Sequence, residues 1–581
     1  MRARPDAAES RLITGVPTAF ALATVVLGLV DVVSAVTPER AGRLRELTKV
    51  MPLAVAHAAS AATAATGLLL ILLGHGLRRR KRRAWRGAVV LLLFSSALHV
   101  IKGLDAEEAS ITLLAAIALV MLSRQFYAAG DPRTRWRAPA AFVVMLLGSV
   151  IAGLVLVYAQ HSHIRGNPSF ATVLQQVLWG LIGVGGPVHY IGPEAGDFVT
   201  DVLLGLGLVT VGVPAYLALR APEPRAVLSA DQEERLRELL CHQGARDSLG
   251  YFALRRDKAV VFSDTGKAAV SYRVVSGVML ASGDPIGDPE AWPGAMRAFL
   301  AEARRHAWVP AVMGCGEQGG ETWVREAGLR AIELGDEAII DVADFTLDGR
   351  AMRNVRQMVT RVERAGYTTQ VRRTCDVTQA EIADIRRQAA AWRAAEVERG
   401  FSMALGRFGD PADGECVAVT AYQNDRLCAV LHFVPWGTDG LSLELMRRDR
   451  QADAGLNELM IVAAIRAAGE LGICRLSLNF AVFRSALERG GRLGAGPVLR
   501  LWRELLLLAS RWFQIESLYR FNAKFRPVWE PRFVCYPGAA DVPRVALAAL
   551  EAEAFIVWPS QWLALRRAAR AKPSTTADGF R

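Results

Sequence analysis

Long apolar runs dominate the first 220 residues, and short apolar stretches interleaved with charge follow them. Six runs, at 12–36, 51–77, 84–103, 109–127, 138–159 and 198–219, are long enough to be read as bilayer-crossing helices. A seventh apolar stretch, 168–191, is broken by Gly183, Gly185, Gly186 and Pro187, which predicts a re-entrant or interfacial segment instead of a span. The first run has no convincing small-residue cleavage site and is followed at once by more apolar runs, so it does not read as a cleaved signal. A Pro-rich junction at 220–225 closes this part.

Beyond the junction the period changes. Strands are expected at 259–262, 268–275, 338–342, 416–422, 427–434 and 476–480. Helices are expected at 296–306, 350–365, 378–399, 457–471 and 497–513, the last with a Leu/Trp stripe that suits either a core or a bilayer surface. Two rounds of the same mixed order imply two similar α/β lobes, 221–400 and 401–565, ahead of a basic tail at 566–581. The expected fold class is thus an α-helical polytopic membrane domain, 1–220, followed by a soluble α/β domain.

Charge orients this picture. Of a net charge of +12, most lies in the first 220 residues, which hold 21 Lys/Arg against 12 Asp/Glu. The unbroken basic run 78–83 and the cluster Arg124, Arg133, Arg135 and Arg137 predict cytoplasmic loops. The loop with Asp105, Glu107 and Glu108 then falls outside, both termini fall in the cytoplasm, and Arg40, Arg43, Arg45 and Lys49 fall outside against the rule. The expected location is a bacterial inner membrane with the C-terminal part cytoplasmic. Asp31, His57 and His99 lie within runs, where they suit either a lipid or ion path or a bond between neighbouring helices.

An apolar content of 52% with 22% charge excludes disordered, collagenous and small disulfide-stapled chains. All seven cysteines lie beyond residue 220, are odd in number and form no CxxC, which fits free thiols in a reducing compartment. No GxxxxGK[ST], HExxH or GxSxG occurs, and 490–494 has the wrong glycine spacing for a dinucleotide turn. His242, His306 and His432 are dispersed, so no metal and no cofactor is expected.

Several stretches in order carry a resemblance: His99 to Ala109, Met352 to Tyr367, the segment 401–408 (FSMALGRF), Glu444-Leu445-Met446-Arg447, and 519–533 (YRFNAKFRPVWEPRF). Together they resemble the multiple peptide resistance factor family, the aminoacyl-phosphatidylglycerol synthases, in a short form without the extra lipid-flipping domain or a fused lysyl-tRNA synthetase. The resemblance implies tandem acetyltransferase-like (GNAT) lobes that use no acetyl-CoA. It also implies transfer of an aminoacyl group, lysyl before alanyl, from aminoacyl-tRNA to a hydroxyl of phosphatidylglycerol. Such transfer lowers membrane negative charge and so resists cationic peptides. The family's Asp-Leu-Met-Arg is Glu444 to Arg447 here, its Pro-Asn-Gly is Asp453-Ala454-Gly455, and a family Tyr is Phe533. These changes bear on the donor amino acid more than on the reaction.

That chemistry needs a carboxylate for the donor amine or for a proton, and cations for phosphate and oxyanion. Glu444, Arg447, Lys524 and Arg532 are the expected catalytic residues, although in a regular strand Glu444 and Arg447 point oppositely. Asn457, Glu458, Arg520 and Trp529 are expected to bind substrate. Arg353, Arg356, Arg361 and Arg364 are expected to meet tRNA phosphates, with a merely solvated face as the alternative. Expected partners are aminoacyl-tRNA, phosphatidylglycerol and the lipid bilayer, with a homo-oligomer left open. Alternatives are the same donor with diacylglycerol or a cell-wall precursor as acceptor, or a non-catalytic lipid flippase or scaffold.

Overall fold

The computed structural model describes residues 7–36, 53–78, 80–103, 106–126, 137–191, 193–219, 227–393, 400–482 and 515–556. The helix expected at 497–513 and the basic tail lie outside the described residues. Two compact units divide near Pro222.

In the first unit each expected apolar run falls on a helix: α1 (Ala7–Val36), α2 (Leu53–Arg78), α3 (Arg82–Gly103), α4 (Ala106–Met121), α5 (Arg137–Ala159) and, after a shorter α6 (Phe170–Leu181), α7 (Pro193–Leu219). Among the described residues two stretches are long and apolar enough to cross a membrane, Ala140–Ala159 and Ala195–Ala215. Glycine sets how α1 and α2 meet: a Cβ on Gly28 would sit 2.5 Å from the Gly67 carbonyl oxygen, so only bare backbone fits. Asp31 and His99 form a bond between helices, Oδ1 to Nε2 at 2.9 Å, and Ser95 donates to the other Asp31 oxygen at 2.8 Å. The segment expected to be re-entrant contains α6 and is pinned at its end. Ile164 bridges Tyr190, and buried Gln176 on α6 accepts from the Val188 amide at 3.1 Å.

The second unit opens with α8 (Ala230–Gln243), started by a capping box between Ser229 and Gln232. One round follows: β1 (Ala259–Phe262), β2 (Ala268–Val275), β3 (Val278–Ser282), β4 (Ile286–Gly287), α9 (Trp292–His306), β5 (Val309–Cys315), α10 (Glu317–Ala327) and β6 (Arg330–Asp341). Then α11 (Arg353–Arg364) leads into a second: β7 (Tyr367–Arg373), α12 (Gln379–Arg393), β8 (Val417–Gln423), β9 (Arg426–Trp436), β10 (Gly440–Arg448), α13 (Leu456–Ala467), β11 (Arg475–Val482), α14 (Ile515–Ala523), β12 (Val528–Tyr536) and α15 (Val542–Ala552). Ser276-Gly277 and Asn424-Asp425 turn the two tight hairpins with both residues at positive φ, the form that matches strand twist.

The strands form one sheet in the order β1-β2-β3-β5-β12-β6-β11-β10-β9-β8-β7. Among the described residues only β3/β5 and β10/β11 are parallel pairs, one per round. The same strand order runs twice, with an exchange. The last strand, β12, lies between β5 and β6 of the first round, and α15 packs on β2, β3 and β5. The second lobe expected over 401–565 therefore gives its final strand and helix to the first.

Candidate active site

The site begins where β10 and β11 part. They pair only over 440–442 and 475–477. Past that point β10 carries a bulge between Leu443 and Leu445, and β11 shifts register against β6 between Ser477 and Phe480. Asn479 sits here at φ +67, its Nδ2 donating to the Leu443 carbonyl and its buried Oδ1 without a partner. A notch results in which β10 loses its parallel partner, the kind of place where free backbone N–H groups can face a developing oxyanion.

The bulge also resets side-chain parity. Leu445 packs with Val430 and with Ile382 and Ile385 of α12, and Arg447, two residues on, shares that face. Glu444 reaches the same side. Glu444 and Arg447, expected to point oppositely, thus lie on one face.

Glu444 is already engaged. Its Oε2 meets His432 Nδ1 at 2.6 Å, and its Oε1 accepts from the amides of Leu405 (3.0 Å) and Gly406 (2.8 Å). Burial pushes its carboxyl up, but the His432 contact and the two amides outweigh that and hold it below the usual carboxylate range. It is not an open acceptor for a substrate amine. The same loop is tied down elsewhere: Glu553 accepts from the Phe401 and Ser402 amides (2.7 and 3.0 Å), and Arg407 pairs with Glu233 (2.9 Å) and Asp413 (2.6 Å). The FSMALGRF segment is therefore a strap pinned by carboxylates from several elements. No motif spacing marks His432; its only signal is a polar residue inside the apolar strand β9.

On the other face α13 begins at Gly455, whose φ of +104 suits glycine and whose added Cβ would meet Met358 and Val362 of α11 at 3.1 Å. Leu456 and Leu459 pack with Leu441 and Leu443, while Glu458 is buried and accepts from Lys524 Nζ at 2.7 Å. Beside it the Asn457 Oδ1 is buried without a partner. Phe521 and Trp529 pack on the same core, Trp529 lies 5.7 Å from Tyr519 ring to ring, and Arg520 is exposed. Asn457, Glu458 and Lys524 are thus brought together, on the face opposite Glu444 and Arg447.

On α11, Arg353, Arg361 and Arg364 are exposed along one stripe, Arg361 being 3.9 Å from Asp453. Arg356 is spent on the preceding loop, donating to the Leu347 and Gly349 carbonyls.

Arg532 has no role left for a substrate anion. It is 4% exposed, and its guanidinium donates to Glu337, to Asp247 (2.7 Å), to Ser248 Oγ (2.7 Å) and to the Gly314 carbonyl (3.3 Å), which uses all five N–H groups. These bonds tie β12 to the first lobe. The expectation of a free cation fails because β12 is an inner strand.

Asp284 lies beside this cluster and accepts from the Gly316 amide at 2.8 Å. Burial first, then the Asp247 charge, pushes its carboxyl up to about 7. A raised pKa stabilises the fold fully below the ordinary carboxylate range, and that contribution is lost as pH rises through about 7. Asp284→Asn keeps an acceptor for Gly316. Its melting temperature relative to wild type is expected to rise between about pH 5 and about pH 8; a constant difference would contradict this.

Two rounds of the same mixed order share one sheet, with a notch where a parallel pair splays. The family described as phosphatidylglycerol lysyltransferase, C-terminal, matches residues 237–536, and the chain belongs to it. The lysylphosphatidylglycerol biosynthesis bifunctional protein LysX of Mycolicibacterium vanbaalenii is 42% identical over 513 residues, covering 85% of this chain and 46% of that protein. Its namesake in Mycobacterium avium is 43% identical over 510 residues, covering 85% and 43%. The chain therefore spans less than half the length of these relatives. The structure of L-PGS from Bacillus licheniformis aligns with a TM-score of 0.49 at 20% identity, over 58% of this chain and 99% of that one.

Proposed function

We propose that the protein transfers an aminoacyl group, lysyl first, from aminoacyl-tRNA to a hydroxyl of phosphatidylglycerol at the inner leaflet, with the helical unit spanning the membrane. The observation that carries this reading is the notch between β10 and β11, with a carboxylate and an ammonium on one face and, on the other, a guanidinium with no partner among the described residues. Family membership and the names of the relatives support the substrate class.

The two faces divide the work. Donor binding falls to the α13 side: the arginine stripe of α11 tracks tRNA phosphates toward Gly455, and Glu458 with Asn457 receives the α-amine, Lys524 holding the Glu458 carboxylate in place. Acceptor binding falls to the α12 side, where Arg447 pairs with the lipid phosphate. The notch lets both approach one carbonyl carbon, with β10 backbone past the splay beside its oxyanion. Acyl transfer without net charge separation needs no cofactor here.

Replacing Arg353, Arg361 and Arg364 together with Gln is expected to weaken tRNA binding by about tenfold or more and to reduce the salt slope by about two to three, with lipid binding unchanged. A binding isotherm series at several salt concentrations measures both. The reading as a whole is tested by mass spectrometry of lipids from cells with and without the chain. A headgroup mass increased by one lysyl unit is the predicted result, and an unchanged lipid profile in cells that contain the folded protein would count against it.

A further inference from the structure

We propose that His432 is the general base of the transfer and that Glu444 is its positioning residue, an inference that rests on the transfer reading above. His432 is 1% exposed, and its two ring nitrogens differ. Nδ1 is 2.6 Å from Glu444 Oε2, while Nε2 is buried with no hydrogen-bond partner among the described residues. The carboxylate cannot swing away, because its other oxygen is held by the Leu405 and Gly406 amides. An ionised carboxylate accepts only, so the proton sits on Nδ1 and the Nε2 lone pair is free. Phe408 packs edge-on at 4.7 Å and fixes the ring plane. A fixed tautomer with a bare, buried nitrogen is what a base for an alcohol needs.

The other ionisable groups on this side are few. Cys416 directly precedes β8, its thiol pushed up first by burial and then by the Asp413 and Glu444 charges, so it remains protonated. Arg386 of α12 is bound to the Phe408 carbonyl, and Arg447 shares the face. Arg447 holds the lipid phosphate while a glycerol hydroxyl of the same headgroup supplies the missing partner of Nε2.

The step balances as a transesterification. The lipid O–H proton passes to Nε2 as the oxygen bonds to the aminoacyl carbonyl carbon. The tetrahedral adduct then breaks its bond to the terminal ribose oxygen, which takes that proton from Nε2. One ester forms, one breaks, and His432 ends as it began.

His432→Asn separates base from brace, since the Asn amide can still donate to Glu444 but offers no Nε2. With phosphatidylglycerol vesicles and lysyl-tRNA, kcat is expected to fall about 100- to 10,000-fold with KM for both substrates within about twofold. Glu444→Gln is the second variant: its carbonyl can still accept from the two amides, while its NH2 group turned to Nδ1 forces the ring proton onto Nε2. A comparable kcat loss, not additive with His432→Asn, is expected. Wild-type-like kcat in either folded variant overturns the inference while leaving the transfer reading intact. No lipid product from the wild-type protein defeats the transfer reading itself.

Discussion

Arg532→Ala is expected to abolish accumulation of folded protein, although this arginine lies in the motif that most resembles a known transferase. Its removal leaves Glu337, which is wholly buried, and Asp247 without their cation. Breaking such a buried network from one side costs about 3–5 kcal/mol, a large share of what holds an ordinary domain together. The cost falls on a strand that joins the two rounds, so β12 and α15 lose their seat together. Arg532→Lys is expected to fail as well, because an ammonium cannot serve this planar set of acceptors. The measurement is thermal unfolding of detergent-solubilised protein. A folded, transfer-deficient Arg532→Ala protein would instead assign this arginine to the substrate.

Arg447→Ala is expected to do the opposite. The guanidinium makes no hydrogen bond or ion pair with another described residue, and it sits past the bulge on the face of α12. The fold loses little by its removal, within about 0.5 kcal/mol as for other substitutions away from packed features. Transfer loses its grip on the lipid phosphate. With that charge-assisted pairing gone, kcat/KM for lipid should drop by about 100-fold or more, with tRNA affinity and melting temperature unchanged. Steady-state kinetics across a vesicle titration reads the loss. Equal transfer by the variant would remove Arg447 from the site.

The contrast between these two arginines shows where a sequence speaks and where it falls silent. Apolar runs and strand alternation are local, so strands such as β1, β2 and β8 are legible within a residue or two, while helices of the first unit such as α1, α4 and α7 are legible as elements but miss one end by five or six residues. β3 and β5 are short continuous apolar runs, which period alone does not separate from helix or loop. β12 is masked by Pro527 and Pro531, yet Pro531 pairs opposite Asp336 beside a register shift, where a missing N–H is tolerated. Its partners lie some 200 residues earlier in the chain, and nothing local announces that exchange. For the site, the motif Glu444 to Arg447 is visible, but the bulge that puts both on one face is not. His432 escapes because its role depends on a cross-strand neighbour, not on spacing. Lys524 and Glu458 are both legible as candidates; their 2.7 Å pairing is a product of α13 and α14 packing on one core.

The central claim, that a tRNA-borne amino acid reaches a phospholipid hydroxyl at this notch, meets its most direct test in a reconstituted transfer assay. Purified full-length chain in phosphatidylglycerol vesicles receives tRNA charged with radiolabelled lysine, and the lipid fraction is counted. The account predicts label in an alkali-labile aminoacyl lipid, abolished by prior ribonuclease treatment of the donor. Folded, vesicle-bound protein that leaves the lipid unlabelled with every aminoacyl-tRNA supplied would contradict it.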